Sequence, residues 1–191
     1  QNSRSNFFCI AKLIKGCKQW HLGNAFRNQY KNQFEGIFCT LPKYSYVLLA
    51  IGEIDCRLDT GIIVHKKKFP EKRIKEIISH TVENYLNYIV NLNSDHEHNV
   101  TIQGVPCPNL DIKNHSEMDI RQLVEVIKIF NSELKMRSKQ KGFGFLDTYQ
   151  LTNNGDGMSN GSWHIDDYHL SPEGMQEAWR RYDPTKLFEE F

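Results

Sequence analysis

The sequence predicts an α/β domain with a mostly parallel sheet, and three observations carry that expectation. Short apolar runs alternate with amphipathic stretches along the whole chain, the pattern of strands layered with helices. The best strand, Tyr46 to Ile51 (YVLLAI), is nearly all apolar and stops at Gly52, as a strand buried on both faces does. A length of 191 residues suits a single domain, 1–191, with a sizeable core.

Taken in order, the first apolar run is Phe7 to Ile14 (FFCIAKLI), read as a strand. Phe26, Tyr30, Phe34 and Ile37/Phe38 follow at helical spacing. That helix ends before Pro42, because a proline disfavours a helical residue ahead of it. After the strand at Tyr46, Pro70 opens a long helix with Ile74, Ile77/Ile78, Val82, Tyr85/Leu86 and Ile89 on one face. Residues 91–99 are polar and read as a loop. Val100 to Val105 (VTIQGV) is the next strand, closed by Pro106 and Pro108. Ser116, three residues ahead of Asp119, caps a helix carrying Ile120, Leu123/Val124, Ile127, Phe130 and Leu134. It stops at Gly142, and Phe143 to Asp147 (FGFLD) is a last short strand. Ser171-Pro172 supplies a cap and a first-turn proline for the final helix.

Composition sets bounds on function. The net charge of +1 points to no nucleic-acid or acidic-lipid partner, and no run approaches the roughly 18 to 20 apolar residues of a membrane span. Neither nucleic acid nor membrane is therefore expected as a partner. The five cysteines, Cys9, Cys17, Cys39, Cys56 and Cys107, are widely spaced with no C-x-x-C pair. They read as buried thiols of a reducing compartment, which makes the cytoplasm the expected location. There is no P-loop and no G-x-G-x-x-G, so a nucleotide cofactor would lack its phosphate cradle.

Open parallel sheets bind ligands beyond the carboxyl ends of their strands, which directs attention to Gly52 to Arg57 after the best strand, Gly104-Val105-Pro106 after the next, and Asp147 onward after the last. Gly52-Glu53-Ile54-Asp55-Cys56-Arg57 places two carboxylates and a guanidinium directly behind the best strand. Its plain reading is a turn salt bridge; its functional one is a polar cluster where Arg57 fixes an anionic group through its two-pronged donors. The last of these reaches the stretch from Trp163 to Gly174, which holds Asp166 three residues before His169. A carboxylate on one ring nitrogen fixes the tautomer and supports the imidazolium, leaving the other nitrogen to take a proton from a nucleophile.

Together these segments resemble the SGNH/GDSL-like hydrolases. GEIDCR at Gly52 to Arg57 resembles the family's G-x-N-D block, and IDDYHLSPEG at Ile165 to Gly174 its closing D-x-x-H block. Trp20-His21-Leu22-Gly23-Asn24 sits where the second block offers a glycine. The resemblance spans roughly residues 12 to 180 and implies a three-layer α/β/α fold of flavodoxin-like layering. It implies a serine esterase or acylhydrolase acting on an ester, often a lipid or an O-acylated carbohydrate, with no metal and no organic cofactor. Carried over, His169 is the general base, Asp166 its orienting partner, and the Gly23 N–H an oxyanion donor. Asn24, Gly52, Glu53, Asp55 and Arg57 would line the oxyanion and substrate side.

Two departures qualify that pattern. No G-D-S motif occurs in the sequence, and Ile54 stands where the family's oxyanion asparagine would fall. The first strand and its serine are accordingly expected upstream of Gln1. The rival expectation is a non-catalytic glycan- or protein-binding module of the same fold, and a third is an acyl transferase using the same pair. Outside these segments, His96 and His98 in Asp95-His96-Glu97-His98 are read as solvated rather than metal-binding, and Cys107 as a turn residue. Lys66, Lys67, Lys68, Lys72, Arg73 and Lys75 form a basic run read as a solvated helix entrance, with anion binding the alternative.

Overall fold

The computed structural model describes residues 9–111 and 113–182. Among the described residues eleven elements succeed one another: α1 (Gln19–Gly23), α2 (Gln29–Phe38), β1 (Tyr46–Leu49), α3 (Glu53–Cys56), α4 (Gly61–Lys68), α5 (Ile74–Asn93), β2 (Asn99–Gln103), α6 (Glu117–Gln140), β3 (Gly144–Leu146), α7 (Thr148–Thr152) and α8 (Pro172–Arg181). The strands form one parallel sheet in the order β1-β2-β3, so the α/β expectation holds.

Strand side chains alternate between two apolar layers, as the period of two requires. Val47, Leu49, Val100, Ile102 and Phe145 belong to the main core with Ile78, Val82, Leu86 and Ile89 of α5 and Leu123, Ile127, Phe130 and Leu134 of α6. Leu48 and Leu146 face the other way, onto Trp163 and onto Met175, Ala178 and Trp179 of α8. On that side the Thr101 and Tyr182 hydroxyls lie 3.4 Å apart. Helices therefore cover both faces of the sheet.

Local chemistry sets the boundaries. The Asn28 side chain accepts the Tyr30 and Lys31 N–H groups, which starts α2 after Phe26 and leaves that ring exposed. Ser116 and Ser171 cap α6 and α8 as expected, each through its hydroxyl. The long helix α5 begins at Ile74 rather than Pro70, because α4 and a turn occupy the residues before it. It also runs on to Asn93, into the segment read as a loop. The run at Phe7 is no strand where it is described: residues 9–14 are irregular, with Ile10 and Leu13 largely exposed. Phe7 and Phe8 lie outside the described residues.

Candidate active site

β1 ends at Leu49, and the chain turns at Gly52 into the single turn of α3. Gly52 has φ 144°, and a Cβ there would lie 2.9 Å from Phe130 Cε1 and 3.0 Å from Gln19 Nε2. Only glycine combines that backbone with that space. The turn throws Glu53 and Asp55 in different directions.

Glu53 meets Arg57 one turn on, with Nε donating to Oε1 at 2.5 Å and Nη2 to Oε2 at 2.8 Å. Both side chains are mostly buried, and the Glu53 carboxylate raises the guanidinium pKa. The guanidinium also rests 4.9 Å from the centroid of the Tyr168 ring.

Asp55 turns inward and is buried. Its oxygens accept the N–H groups of Gln19 at 2.7 Å and Trp20 at 3.2 Å, anchoring the first turn of α1. Burial pushes its carboxyl up to about 6, against the downward pull of those two N–H groups and the Lys18 charge. The expected place of Asp55 at the site mouth is therefore corrected to a helix anchor beneath it.

The imidazole comes from a hairpin between α7 and α8. His164 and Leu170 form an antiparallel bridge, the Ile165 N–H donates to His169 O, and the Ser171 N–H donates to Trp163 O at 2.7 Å. Across its tip, Asp166 Oδ1 accepts the N–H groups of Tyr168 and His169, while Oδ2 lies 2.7 Å from His169 Nδ1. Burial alone would raise the Asp166 carboxyl, but these N–H groups and the imidazole outweigh it and bring it down to about 2. The hairpin is tied to the loop after β2 by the Asn109 N–H, which donates to Asp167 O at 2.8 Å.

The two segments meet. His169 Nε2 lies 3.8 Å from Glu53 Oε2, so the imidazole sits between the carboxylates of Asp166 and Glu53. Gly23 and Asn24 stand apart from this group. Gly23 ends α1 where a Cβ would be 2.8 Å from Tyr85 N, so it lets α1 lie against α5. Its N–H, in the last turn of a helix, is directed back along that helix rather than outward. Asn24 folds its side chain onto the Phe26 N–H, and its carbonyl accepts Lys31 Nζ. No hydrogen bond or ion pair joins either residue to the hairpin among the described residues, and the expected oxyanion role of Gly23 gains no geometric support.

One pairing escaped the sequence reading. Ser159 Oγ lies 2.9 Å from His164 Nδ1 and accepts the Gly161 N–H, while the His164 ring lies beside the Cys107 backbone with Nε2 buried. Burial lowers the His164 pKa. No spacing rule marks a serine five residues ahead of a histidine; only the bend of the 153–164 loop joins them.

Elsewhere, His98 is buried with Nε2 3.2 Å from Phe38 O, and the His96 and His98 rings stack 5.5 Å apart. No group of three or more metal-ligating side chains occurs among the described residues. Cys107 is buried, its N–H donates to Thr152 Oγ1, and burial pushes its thiol up to about 11.

No protein-family model matches the chain, and no curated protein matches it. Among solved structures, a phospholipase A1 from Streptomyces albidoflavus NA297 shows a weak likeness of shape, with a TM-score of 0.45 and 14% identity over 78% of this chain and 72% of that one.

Proposed function

We propose that the chain is an SGNH-type ester hydrolase in which His169 is the general base and Asp166 its orienting partner. The observation carrying this reading is the 2.7 Å contact between Asp166 Oδ2 and His169 Nδ1, with the Glu53–Arg57 pair on the opposite side of the ring. Asp166 on Nδ1 favours the tautomer whose Nε2 lone pair is free. A serine hydroxyl would pass its proton to Nε2 as Oγ attacks the ester carbonyl. The imidazolium then gives that proton to the departing alkoxide, and water releases the acyl group by the same relay. The substrate proposed is an O-acylated carbohydrate or a lipid ester.

The sequence holds no G-D-S, and this reading assigns the base and its orienting partner rather than the serine. The second reading is a glycan- or protein-binding module of the same fold. Ile54 in the asparagine position favours it, since an alkyl side chain donates nothing to an oxyanion.

Turnover of p-nitrophenyl acetate by the full-length protein tests the proposal. His169→Ala should lower kcat/KM by about 10² to 10⁴, the usual contribution of a general base, while Ser159→Ala should leave it unchanged. A loss below about tenfold in His169→Ala rejects the base assignment. A collapse in Ser159→Ala moves the nucleophile onto the 153–164 loop, and no turnover by the wild type favours the binding module.

A further inference from the structure

The net charge of +1 conceals a strong segregation. Residues 66–75 (KKKFPEKRIK) carry six cations and one carboxylate, a net +5, which leaves the rest of the chain at −4. They form the corner between the end of α4 and the start of α5.

The corner is built rather than frayed. Lys66 Nζ donates to Pro70 O at 2.5 Å and Lys72 O at 2.8 Å, stapling the turn from within. The Phe69 N–H donates to His65 O and the Lys72 N–H to Phe69 O. The apex so held is apolar: Phe69 is 41% exposed beside exposed Pro70. The His65 ring packs 4.6 Å from the Phe69 ring, and Lys72 Nζ stands 5.0 Å above it. Glu71 and Glu76 are the carboxylates of this corner, and only Arg73 is paired there, with Glu76 at 3.4 Å. Lys67, Lys68, Lys72 and Lys75 have no carboxylate partner among the described residues. Closing α4 needs one or two cations at its carbonyl end; three unpaired lysines beside an outward phenylalanine exceed that need and repel one another.

We propose that this corner docks on an anionic phospholipid surface, with Phe69 entering the interface and Lys67, Lys68 and Lys72 facing headgroup phosphates. A bilayer fits better than a nucleic acid. The phenylalanine is already engaged by His65 and Lys72, so it offers an apolar wedge rather than an open platform for a base. The net charge alone argued against an acidic-lipid partner; the placement of the charge argues for one.

Co-sedimentation of the purified chain with phosphatidylcholine vesicles, with and without phosphatidylserine, tests this. Each basic residue near such a surface contributes about 1 kcal/mol, or about fivefold in affinity. The Lys67→Gln/Lys68→Gln double variant should therefore bind charged vesicles about twenty- to thirtyfold more weakly. Phe69→Ser should weaken binding without changing its salt dependence, and Lys139→Gln, in the last turn of α6, should change nothing. All four side chains are exposed, so the melting temperatures should match the wild type. Equal binding to uncharged vesicles, an unaltered double variant, or capture by duplex nucleic acid but not by charged vesicles each overturns the proposal.

Discussion

At the scale of single residues, the structure separates two carboxylates that the sequence places two positions apart. Glu53 reaches the imidazole, whereas Asp55 holds the first turn of α1 from below. Their burial differs accordingly, and so does their response to pH. Asp55 has a folded pKa of about 6, above the ordinary aspartate value of 3.8. Its protonated form therefore favours the fold: that contribution is complete below about pH 4 and is lost as pH rises through 6. The difference corresponds to about 3 kcal/mol. Asp55→Asn cannot ionise, so the stability advantage of the wild type over this variant should narrow by about that amount between pH 4 and 7. Urea unfolding at the two pH values measures it, and a widening gap would contradict the burial account. Asp166 behaves oppositely. Held near 2, it stays ionised at every pH where a neutral imidazole can act as a base. Its pair with His169 is half exposed and adds little to stability.

At the scale of elements, the caps and strands were legible in advance, and the connections between them were not. Ser116 and Ser171-Pro172 announced α6 and α8 because a cap needs only a hydroxyl at one position. YVLLAI announced β1 because a strand covered on both sides needs a nearly unbroken apolar run, and VTIQGV announced β2 with the prolines that close it. α4 escaped notice because its basic second half masks a first turn that buries only Ile62 and Ile63. The FFCIAKLI run looked like a strand by composition, yet Leu13 is 88% exposed; an apolar run of that length has no period to distinguish strand from extended coil. The D-x-x-H pair was legible because three residues of sequence bring its members together. The roles expected for Gly23 and Asn24 depended on long-range packing that a short motif does not encode. Among the elements, α8 offers a direct test. Ser171 is buried and accepts the Gly174 N–H at 3.0 Å, so Ser171→Ala should cost about 1 kcal/mol in chemical denaturation. An unchanged midpoint would show the cap to be idle.

At the scale of the whole molecule, stability rests on the seam where β2 lies between β1 and β3 with α5 and α6 above it. Ile102 is fully buried at that seam, pairing with Leu49 on one side and Phe145 on the other. Ile102→Ala should lose about 2 to 5 kcal/mol, the span for deleting a buried aliphatic side chain. Thermal unfolding followed by circular dichroism checks the value, and a loss below about 1 kcal/mol would mean that the sheet repacks around the gap. All five cysteines are unbridged; Cys17 and Cys56 pack in this core and Cys107 is buried too, whereas Cys9 and Cys39 are exposed, against the expectation that all would be buried.

One contact on the sheet's other side reaches further than its size suggests. Gly174 lies so close under Trp163 that a Cβ would come within 2.7 Å of the Trp163 carbonyl oxygen, and Trp163 begins the hairpin that carries His169. Helix and hairpin are thus geared together, with Tyr182 at the helix's far end touching Thr101 of the central strand. A bulky replacement at Ala178, packed in the same apolar cluster as Trp163, would tilt the shaft of that gear. The imidazole would swing off its mark while every residue around it kept its identity.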